Sequence, residues 1–410
     1  LRMDDKLKTA NTSSMTSDIR ISKLPASIVW GYASGAIGYN LLLGVINNFL
    51  MYYFTDVLLI TAAAGGTIML IARLWDGIND PIMGNIVDQN NTRMGKYRPF
   101  LLWGAIPLGI FSILTFTAPD LSTSGKVLYG GAMYILFGMA YTFCNIPYMA
   151  MQATISFNLT ERTRLISIKS MVAMFALIAG LGVFKPIVDL FPSEKSGFSL
   201  AISIMVIIAI IFILISFRAT KKYATFERSN HEKKEKFKDK IKVITQNKPA
   251  LIIMTMLFVS SIMQTIIISS AIYYATYNLE RPDLVSILMM LSIFMVPAML
   301  LVPSLQKRMG KIPLFILGLG ITGLASLAIF FIPYNQIGLI LFFAALKAFG
   351  LGFTSVLIWA LVADCVDFGA LITGFRSSGI VFSSTTFLQK AGMAVGGWML
   401  GMVLTIAGYI

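Results

Sequence analysis

One short stretch of this sequence holds ionisable residues in otherwise apolar surroundings. Arg73, Asp76 and Asp80 lie in a run from Val57 to Ile86 that carries no other charge. Charged side chains at membrane depth cost about 2.5–3.5 kcal/mol each on insertion scales. On a helix these positions are i, i+3 and i+7, so their side chains share one face. The spacing predicts a polar site on one helix face.

Two carboxylates one turn apart offer oxygen ligands to a cation. Hard cations prefer such ligands, and we extend that preference to Na⁺. Two carboxylates and Arg73 sum to −1, so one Na⁺ or H⁺ brings the group to zero. Pro81 also frees the carbonyl of Gly77 from its helical hydrogen bond. The alternative is a structural Arg–Asp pair that joins two helices.

The composition excludes an ordinary soluble protein. The chain of 410 residues is 57% hydrophobic and 13% charged, with a mean hydropathy of +0.78. Soluble domains have about 45–50% apolar and about 25% charged residues. The apolar runs are about 20 residues long without strict alternation, which predicts transmembrane helices. Eleven spans are expected at 27–50, 57–83, 99–118, 124–147, 166–189, 197–217, 249–275, 284–303, 312–333, 337–362 and 378–400.

The net charge of +14 follows the membrane topology and does not indicate nucleic-acid binding. With a cytoplasmic N-terminus, 26 of the 33 Lys and Arg residues fall on the inner side and 4 on the outer side. The positive-inside rule fixes this orientation. The remaining three, Arg73, Lys347 and Lys390, lie within spans, and Lys347 has no role that the sequence indicates.

The residues of common enzyme sites are scarce. His231 is the only histidine and lies in a basic segment, where a solvated surface role is expected. Cys144 and Cys365 are expected to pack in or near spans and not to form a disulfide. No nucleophile–base pair or metal triad is visible, so an enzyme is disfavoured. Residues 1–23 are polar and basic, and no cleavable signal peptide is expected from them.

A basic linker at 218–248 divides the chain into a six-helix bundle at 1–217 and a second bundle at 249–410. Each half has a basic, Gly-containing loop after its second helix. The first loop has Asp88, Arg93, Gly95 and Arg98, and the second contains Lys307-Arg308-Met-Gly310-Lys311. Such a correspondence is typical of parallel repeats.

The first loop resembles the signature of the major facilitator superfamily, which implies an all-α fold of two six-helix bundles. Eleven spans of twelve are expected here, so we expect a chain truncated at its C-terminus or lacking the last helix, in preference to an intact protein with an external C-terminus. A closer resemblance is to the glycoside–pentoside–hexuronide:cation symporter family. It rests on Arg73–Arg98, Tyr141–Pro147, Glu161-Arg162-Thr163, Ala363–Gly369, Thr373–Arg376 and Lys390–Gly392.

This resemblance implies a cation site and a sugar site. Asp76 and Asp80 are the implied ligands of Na⁺ or H⁺, with Asn79 and Thr142 as weaker candidates. The best known family member has carboxylates where this chain has Asn40 and Asn145; an amide still donates to and accepts from hydroxyls. Lys390 is expected to couple the two sites. The full set expected to bind substrate is Asn40, Asn145, Arg73, Tyr141, Lys169 and Lys390.

Charged residues near the cytoplasmic side are expected to form ion pairs that close it: Asp88, Arg93, Arg98, Asp364, Asp367 and Arg376. The alternative is that these charges only set the membrane topology and are solvated at the surface.

The expected function is cation-coupled symport of a sugar, glycoside, pentoside or hexuronide across the bacterial cytoplasmic membrane. The protein is expected to be a monomer without cofactors. Two alternatives remain open at this point. One is a transporter of the same fold for a non-sugar amphipathic solute, and the other is a non-transporting membrane sensor.

Overall fold

The computed structural model describes residues 23–90, 92–224, 243–281, 284–374 and 377–406. Within these ranges the chain forms eleven long helices and no strand, as the sequence predicts. The helices are α1 (Ala26–Tyr52), α2 (Ala62–Gln89), α3 (Arg98–Thr115), α4 (Thr123–Ala150), α5 (Leu159–Val188), α6 (Glu194–Ala219), α7 (Lys248–Tyr273), α8 (Leu284–Met290, the 3₁₀ turn Leu291–Phe294 and Met295–Met309), α9 (Lys311–Phe331), α10 (Ile337–Thr373) and α11 (Ser378–Ile406).

The helices have the length and surface of membrane spans. Eight of them are long and apolar enough to cross a bilayer by themselves; α2, α8 and α11 are the exceptions among the described helices. The large exposed side chains are often apolar: Leu128, Phe330 and Leu371 are 76%, 79% and 82% exposed. In a bilayer such side chains face lipid, which is as apolar as leucine. The protein is therefore a multi-pass membrane protein.

Helices α5 and α10 extend furthest beyond the spans that hydropathy indicates. Helix α5 begins at Leu159 and not at 166, because the Asn158 side chain accepts hydrogen bonds from the amides of Thr160 and Glu161 and caps it. Helix α10 runs to Thr373 and not to 362, and ends at Gly374 in the left-handed region. Arg162 and Asp364 therefore lie on helices and not in loops. Hydropathy finds the lipid-buried part of a helix and misses its polar extension.

The two halves of the sequence meet along specific helix pairs. Within the first half, α1 packs on α5 and α6, and α4 packs on α2 and α3; within the second, α11 packs on α7, and α10 packs on α8 and α9. The halves join where α2 lies against α11 and where α5 lies against α8 and α10. The polar face of α2 is therefore directed at a helix some 300 residues later in the chain.

Small residues let α11 approach α7 closely. A Cβ atom added to Gly396 would lie 2.7 Å from the carbonyl oxygen of Ile262, and one added to Gly392 would collide with the carbonyl oxygen of Phe258. Gly396 and Gly392 are one turn apart on the α7-facing side of α11. Such contacts fix the position of α11 and of the lysine that it carries at position 390.

Part of the basic linker and the polar N-terminal segment lie outside the described residues. His231 is among them, and so are residues 1–22 and 225–242.

Candidate functional site

An ammonium group lies between the two carboxylates of α2. Lys390 Nζ of α11 is 3.1 Å from Asp76 Oδ2, 2.9 Å from Asp80 Oδ2 and 3.1 Å from Asp80 Oδ1. The Asp80 side chain is 1% exposed, whereas those of Asp76 and Lys390 are 13% and 21% exposed. The site therefore has a buried end at Asp80 and a more open end at Asp76.

Hydroxyl groups complete the surroundings of Asp80. Thr142 of α4 donates a hydrogen bond of 2.9 Å to Asp80 Oδ1. Thr386 of α11 donates to Asp80 Oδ2 at 3.4 Å, one turn before Lys390. A buried carboxylate is stable only when it is paired and hydrogen-bonded. Here two helices, α4 and α11, supply the partners.

Arg73 takes a more peripheral position than the sequence indicates. Its guanidinium is 3.9 Å from Asp76 Oδ2 and donates a hydrogen bond of 3.2 Å to Asn47 Oδ1 of α1. Its side chain is 34% exposed. Lys390, rather than Arg73, is therefore the main positive partner of the carboxylates.

The charge balance changes as a result. Arg73, Asp76 and Asp80 sum to −1, but Lys390 brings the cluster to zero before any ion binds. The sequence-based sum of −1 counted only Arg73, Asp76 and Asp80, and the structure adds Lys390, which was expected to couple the two sites, to this cluster. An added cation must compete with the Lys390 ammonium for the same oxygen atoms.

The carboxylates open onto a cavity of about 180 Å³ between α1, α2, α4 and α11. Arg73, Tyr141, Thr142, Asn145 and Lys390 line it, so the structure brings these predicted site residues together with Asp76 and Asp80. The other residues of its wall are Leu43, Asn47, Ala72, Tyr134, Ile135, Phe137, Gly138, Ile146, Thr386, Gln389 and Met393.

Three predicted site residues, Asn40, Asn79 and Lys169, do not line this cavity. The Asn40 side chain donates to the carbonyl of Ala36 on its own helix at 2.9 Å and does not line the cavity wall. Asn79 directly precedes Asp80 in the sequence and is buried. Its Nδ2 has no hydrogen-bond partner among the described residues. The paired arrangement of Asn40 with Asn145 expected from the resemblance is therefore absent from this cavity.

Lys169 is buried at a separate position where the two halves meet. Its Nζ is 2.9 Å from Met149 Sδ, 5.8 Å from the ring centroid of Tyr148 and 6.0 Å from that of Trp359. Trp359 belongs to α10, whereas Tyr148 belongs to α4. No carboxylate among the described residues pairs with this ammonium group.

An ion-pair cluster joins the two halves at one end of the bundle. We call it the basic end because Arg93 and Lys96, after α2, and Lys307 and Arg308, in the last turn of α8, lie there. Arg162 of α5 is fully buried and is 3.2 Å from Asp364 Oδ1 and 2.6 Å from Asp367 Oδ2 of α10. Lys311, the first residue of α9, also pairs with Asp364. The cluster connects helices of both halves.

A second contact at the basic end joins α2 to α11. The Asp88 carboxylate accepts hydrogen bonds from the backbone amides of Gly379 (2.8 Å) and Ile380 (2.9 Å). These amides belong to the first turn of α11, where the helix dipole favours a negative charge. Lys96 lies 3.3 Å from the same carboxylate. Asp88 therefore acts as a cap supplied by the other half of the molecule.

Two of the predicted closing residues, Arg98 and Arg93, do not form such cross-links. Arg98 donates to the carbonyl of Phe217 at 3.1 and 2.9 Å, a contact within the first half. Arg93 is exposed and has no ion pair among the described residues. Arg376 lies outside the described residues.

The sequence reasoning missed several residues of these sites. Thr386 lies four residues before Lys390 and shares its helix face, and Gln389 lies three residues after Thr386, so the spacing of Thr386 was a usable signal. Asn47 is a polar residue in an apolar helix. Three further cations belong to motifs noted in the sequence: Arg162, Lys96 and Lys311. The neighbouring sequence does not show which carboxylate each of them pairs with.

Comparison with known proteins places this geometry in context. The sequence profile described as MFS/sugar transport protein matches residues 31–410. An uncharacterized symporter of Bacillus subtilis (strain 168), YnaJ, is 34% identical over 390 residues, which are 93% of this chain and 83% of that protein. The putative glycoside/cation symporter YagG of Escherichia coli (strain K12) is 31% identical over 382 residues, covering 92% and 82%.

A solved structure has a similar fold. The crystal structure of the E. coli fucose:proton symporter FucP matches with a TM-score of 0.71 at 12% identity, over 93% of this chain and 92% of that one. At this identity the similarity concerns the fold alone. It confirms the all-α, two-bundle architecture expected from the sequence.

Proposed function

Because the chain belongs to the MFS/sugar transport protein family, as the motifs indicated, we propose that it is a cation-coupled sugar symporter. Its relatives are transporters, so the protein is a transporter and not an enzyme. The proposed cargo is a sugar, glycoside, pentoside or hexuronide, and the proposed coupling ion is Na⁺ or H⁺. The proposed location is the bacterial cytoplasmic membrane, with the N-terminus in the cytoplasm.

The observation that carries this proposal is the Asp76–Asp80–Lys390 cluster on the wall of the cavity. In the cation-free protein, Lys390 neutralises part of the charge of the two carboxylates. A Na⁺ or H⁺ that binds to Asp80 and Asp76 releases the Lys390 ammonium. That group then points into the same cavity in which Arg73, Tyr141 and Asn145 are available to sugar hydroxyls.

This exchange supplies a physical basis for coupling. Binding of the cation changes which polar groups are free to meet the sugar, and by linkage the sugar raises the affinity for the cation equally. Coupling free energies of this kind are about 1–3 kcal/mol. A cation that leaves Lys390 paired would give no coupling through this site.

We propose that transport proceeds by rocking of the bundles 1–217 and 249–410, with 218–248 as the linker. The basic end is closed by the Arg162 cluster and by Asp88, both of which join the two halves. In the cavity, Asn47, Arg73 and Met393 lie farther from the basic end than Asp80 does. In the proposed orientation, the described conformation faces outward, and breaking the closure would open the site to the cytoplasm.

The experiment is uptake of a radiolabelled panel into proteoliposomes, consisting of a galactoside, a glucoside, a xyloside and a glucuronide. Each sugar is tested with an inward Na⁺ gradient, with a pH gradient and with neither. Gradient-driven accumulation of one class is expected. Asp80→Asn is expected to reduce this gradient-driven accumulation about 100-fold or more, because breaking a buried ion pair costs about 3–5 kcal/mol.

Asp120→Asn is the matched control, since Asp120 pairs with Lys195 at the opposite end of the bundle and its side chain is 96% exposed. This variant is expected to transport like the wild type. Full gradient-driven accumulation by Asp80→Asn would refute the role of the cluster. Absence of accumulation of any sugar under any gradient, by folded protein, would refute sugar symport.

A further inference from the structure

A four-residue sequence occurs at the basic end of each half. Arg93-Met-Gly-Lys96 lies between α2 and α3, and Arg308-Met-Gly-Lys311 connects α8 to α9. Gly95 and Gly310 have positive φ angles of 96° and 84°, a conformation that favours glycine at the third position of both segments. The two segments are therefore equivalent parts of the two halves, and their side chains can be compared one by one.

The lysines of the two segments have the same role. Lys96 lies 3.3 Å from Asp88, the carboxylate that caps α11. Lys311 pairs with Asp364, the carboxylate that also meets Arg162 of α5. In each half the lysine thus supports a carboxylate that joins the two halves. The position of each segment is therefore part of the closure of the basic end.

The arginines of the two segments have no such partner. Arg93 and Arg308 are exposed, and neither side chain has an ion pair or a hydrogen bond among the described residues. The positive-inside rule accounts for positive charge at this end, but not for an unpaired arginine at the same place in both halves. The described carboxylates at this end already have partners within the protein: Asp88, Glu161, Asp364 and Asp367.

Both arginines have lipid-facing side chains nearby in the sequence. Ile312 follows Arg308 by four residues, Trp103 follows Arg93 by ten, and both side chains are 63% exposed. Tryptophan is enriched where the hydrocarbon of a bilayer meets its headgroups. The two guanidinium groups therefore lie close to the phosphate groups of one leaflet. A guanidinium binds phosphate through two parallel hydrogen bonds.

We propose that Arg93 and Arg308 bind the headgroups of anionic phospholipids. This binding stabilises the closed basic end, because it holds the two segments that carry Lys96 and Lys311. In the proposed orientation, these lipids belong to the cytoplasmic leaflet. An anionic headgroup fits the two sites because it supplies the negative charge that the described carboxylates, already paired, do not. The inference does not depend on which solute is transported.

The test of binding is a lipid titration of the purified protein in a neutral detergent. Phosphatidylglycerol is the anionic probe, and phosphatidylcholine is the zwitterionic reference. The readout is the lipid concentration that gives half of the maximal rise in thermal unfolding temperature. Buffers contain K⁺ in place of Na⁺, so that Na⁺ binding at Asp76 and Asp80 does not contribute. Phosphatidylglycerol is expected to stabilise the wild type more than phosphatidylcholine does.

Arg93→Gln and Arg308→Gln are each expected to weaken binding of phosphatidylglycerol about 5-fold, and the double variant about 25-fold. This corresponds to about 1 kcal/mol for each basic residue near an anionic surface. Because both side chains are exposed, the variants should unfold at the wild-type temperature in lipid-free detergent, which identifies folded protein.

Lys307→Gln is the matched control. It removes an exposed positive charge next to Arg308, at a position where the first half has Thr92. Most of the affinity for phosphatidylglycerol should remain in this variant, because an ammonium group lacks the planar fork that binds phosphate bidentately.

Closure is measured by electron double resonance between spin labels at Gln89 and Lys248. These exposed positions lie in the first and the second half and leave both arginines in place. Transfer of the wild type from phosphatidylcholine to phosphatidylglycerol nanodiscs is expected to increase the short-distance population. The double variant is expected not to respond.

Several outcomes would overturn the inference. Equal stabilisation of the wild type by both lipids would exclude a preference for anionic headgroups, and an unchanged affinity of the double variant would exclude the two arginines. A loss in Lys307→Gln as large as that in Arg308→Gln would indicate diffuse surface charge. A distance distribution that does not respond to phosphatidylglycerol would overturn the link to closure. Sugar symport is tested separately by the uptake assay.

Discussion

At the scale of single residues, Lys390 acts as a tethered cation. Its ammonium is within 3.1 Å of oxygen atoms of both Asp76 and Asp80, and it reaches them from a helix of the other half. Two carboxylates in a poorly solvated site repel each other unless a positive charge lies between them. Lys390 is therefore expected to be required for stability of the cation-free protein and to compete with the coupling cation.

Lys390→Met is expected to make folding dependent on a bound cation. Without the ammonium group, binding of Na⁺ or H⁺ stabilises the two carboxylates more, because the ion no longer has to displace a positively charged group of the protein. We expect saturating Na⁺, or H⁺ if that is the coupling ion, to raise the thermal unfolding temperature of the variant more than that of wild type. A ligand at 100 times its Kd contributes about 2.7 kcal/mol. Gradient-driven accumulation should be lost.

Lys195→Met is the control for removing a lysine, because Lys195 forms an exposed ion pair with Asp120 away from the cavity. Its response to cations should equal that of wild type. The tethered-cation role would be contradicted if Na⁺ and pH shifted the unfolding temperature of Lys390→Met no more than that of wild type.

At the scale of secondary structure, the site depends on how closely α11 lies against α7. Lys390 can reach α2 only if α11 keeps its position, and glycines on its α7-facing side allow that position. The same helix begins at the amides capped by Asp88. Helix α11 is thus held at its first turn by α2 and along its length by α7.

Gly396→Ala is expected to destabilise the protein and to weaken symport. The added Cβ would lie 2.7 Å from the carbonyl oxygen of Ile262, so α11 or α7 must move. Overpacking of this kind costs about 1–3 kcal/mol, and we expect a lower unfolding temperature together with a higher KM for the coupling cation. Thermal unfolding in detergent and uptake kinetics measure both effects.

The adjacent Gly397→Ala supplies a close control, because nothing lies within 4 Å of a Cβ added there. It should behave like wild type or be slightly more stable, since alanine favours the helix. Equal effects of the two substitutions would show that close approach of α7 and α11 does not position Lys390.

At the scale of the whole molecule, the basic end is held shut by contacts between the halves. Arg162 is buried and meets two carboxylates of α10, and it also donates to the carbonyl of Ser156 at 3.1 Å. Rocking of the halves must break these bonds and leave their partners to water. The strength of this cluster therefore sets the balance between the two conformations.

Arg162→Gln is expected to shift that balance towards opening of the basic end. Removing one partner of a buried ion pair costs about 3–5 kcal/mol of stability. Here only the conformation with the basic end closed is destabilised, because only that conformation contains the pair. Spin labels introduced at the exposed positions Arg93 and Lys307, one in each half, measure the shift as a longer distance by electron double resonance. The long-distance population should rise strongly in the variant.

Arg164→Gln controls for the loss of an arginine from the same helix turn. Arg164 pairs with Glu161 three residues earlier, a contact within one half that rocking does not break. Its distance distribution should match that of wild type. If Arg162→Gln gives the wild-type distribution as well, the cluster does not control closure.

The sequence by itself determined the class of protein and the number of long helices. Apolar length and the 3.6-residue period are local properties, so eleven helices and the shared face of Asp76 and Asp80 could be predicted from neighbouring residues. The family also followed from local motifs. Helix ends at Leu159 and Thr373 did not, because polar extensions beyond the lipid are fixed by caps and by packing.

Only the tertiary structure decided which charges meet. Lys390 lies 310 residues from Asp80, and Arg162 lies 202 residues from Asp364, and no local pattern pairs residues at such distances. Helix packing brought Lys390 to the carboxylates and turned Asn40 away from the cavity. It also left Lys169 buried with no acidic partner in the described part of the chain. The net charge of a site is the sum over the residues that packing brings together. The sequence therefore identified the charged residues, whereas the tertiary structure decided which of them share a site.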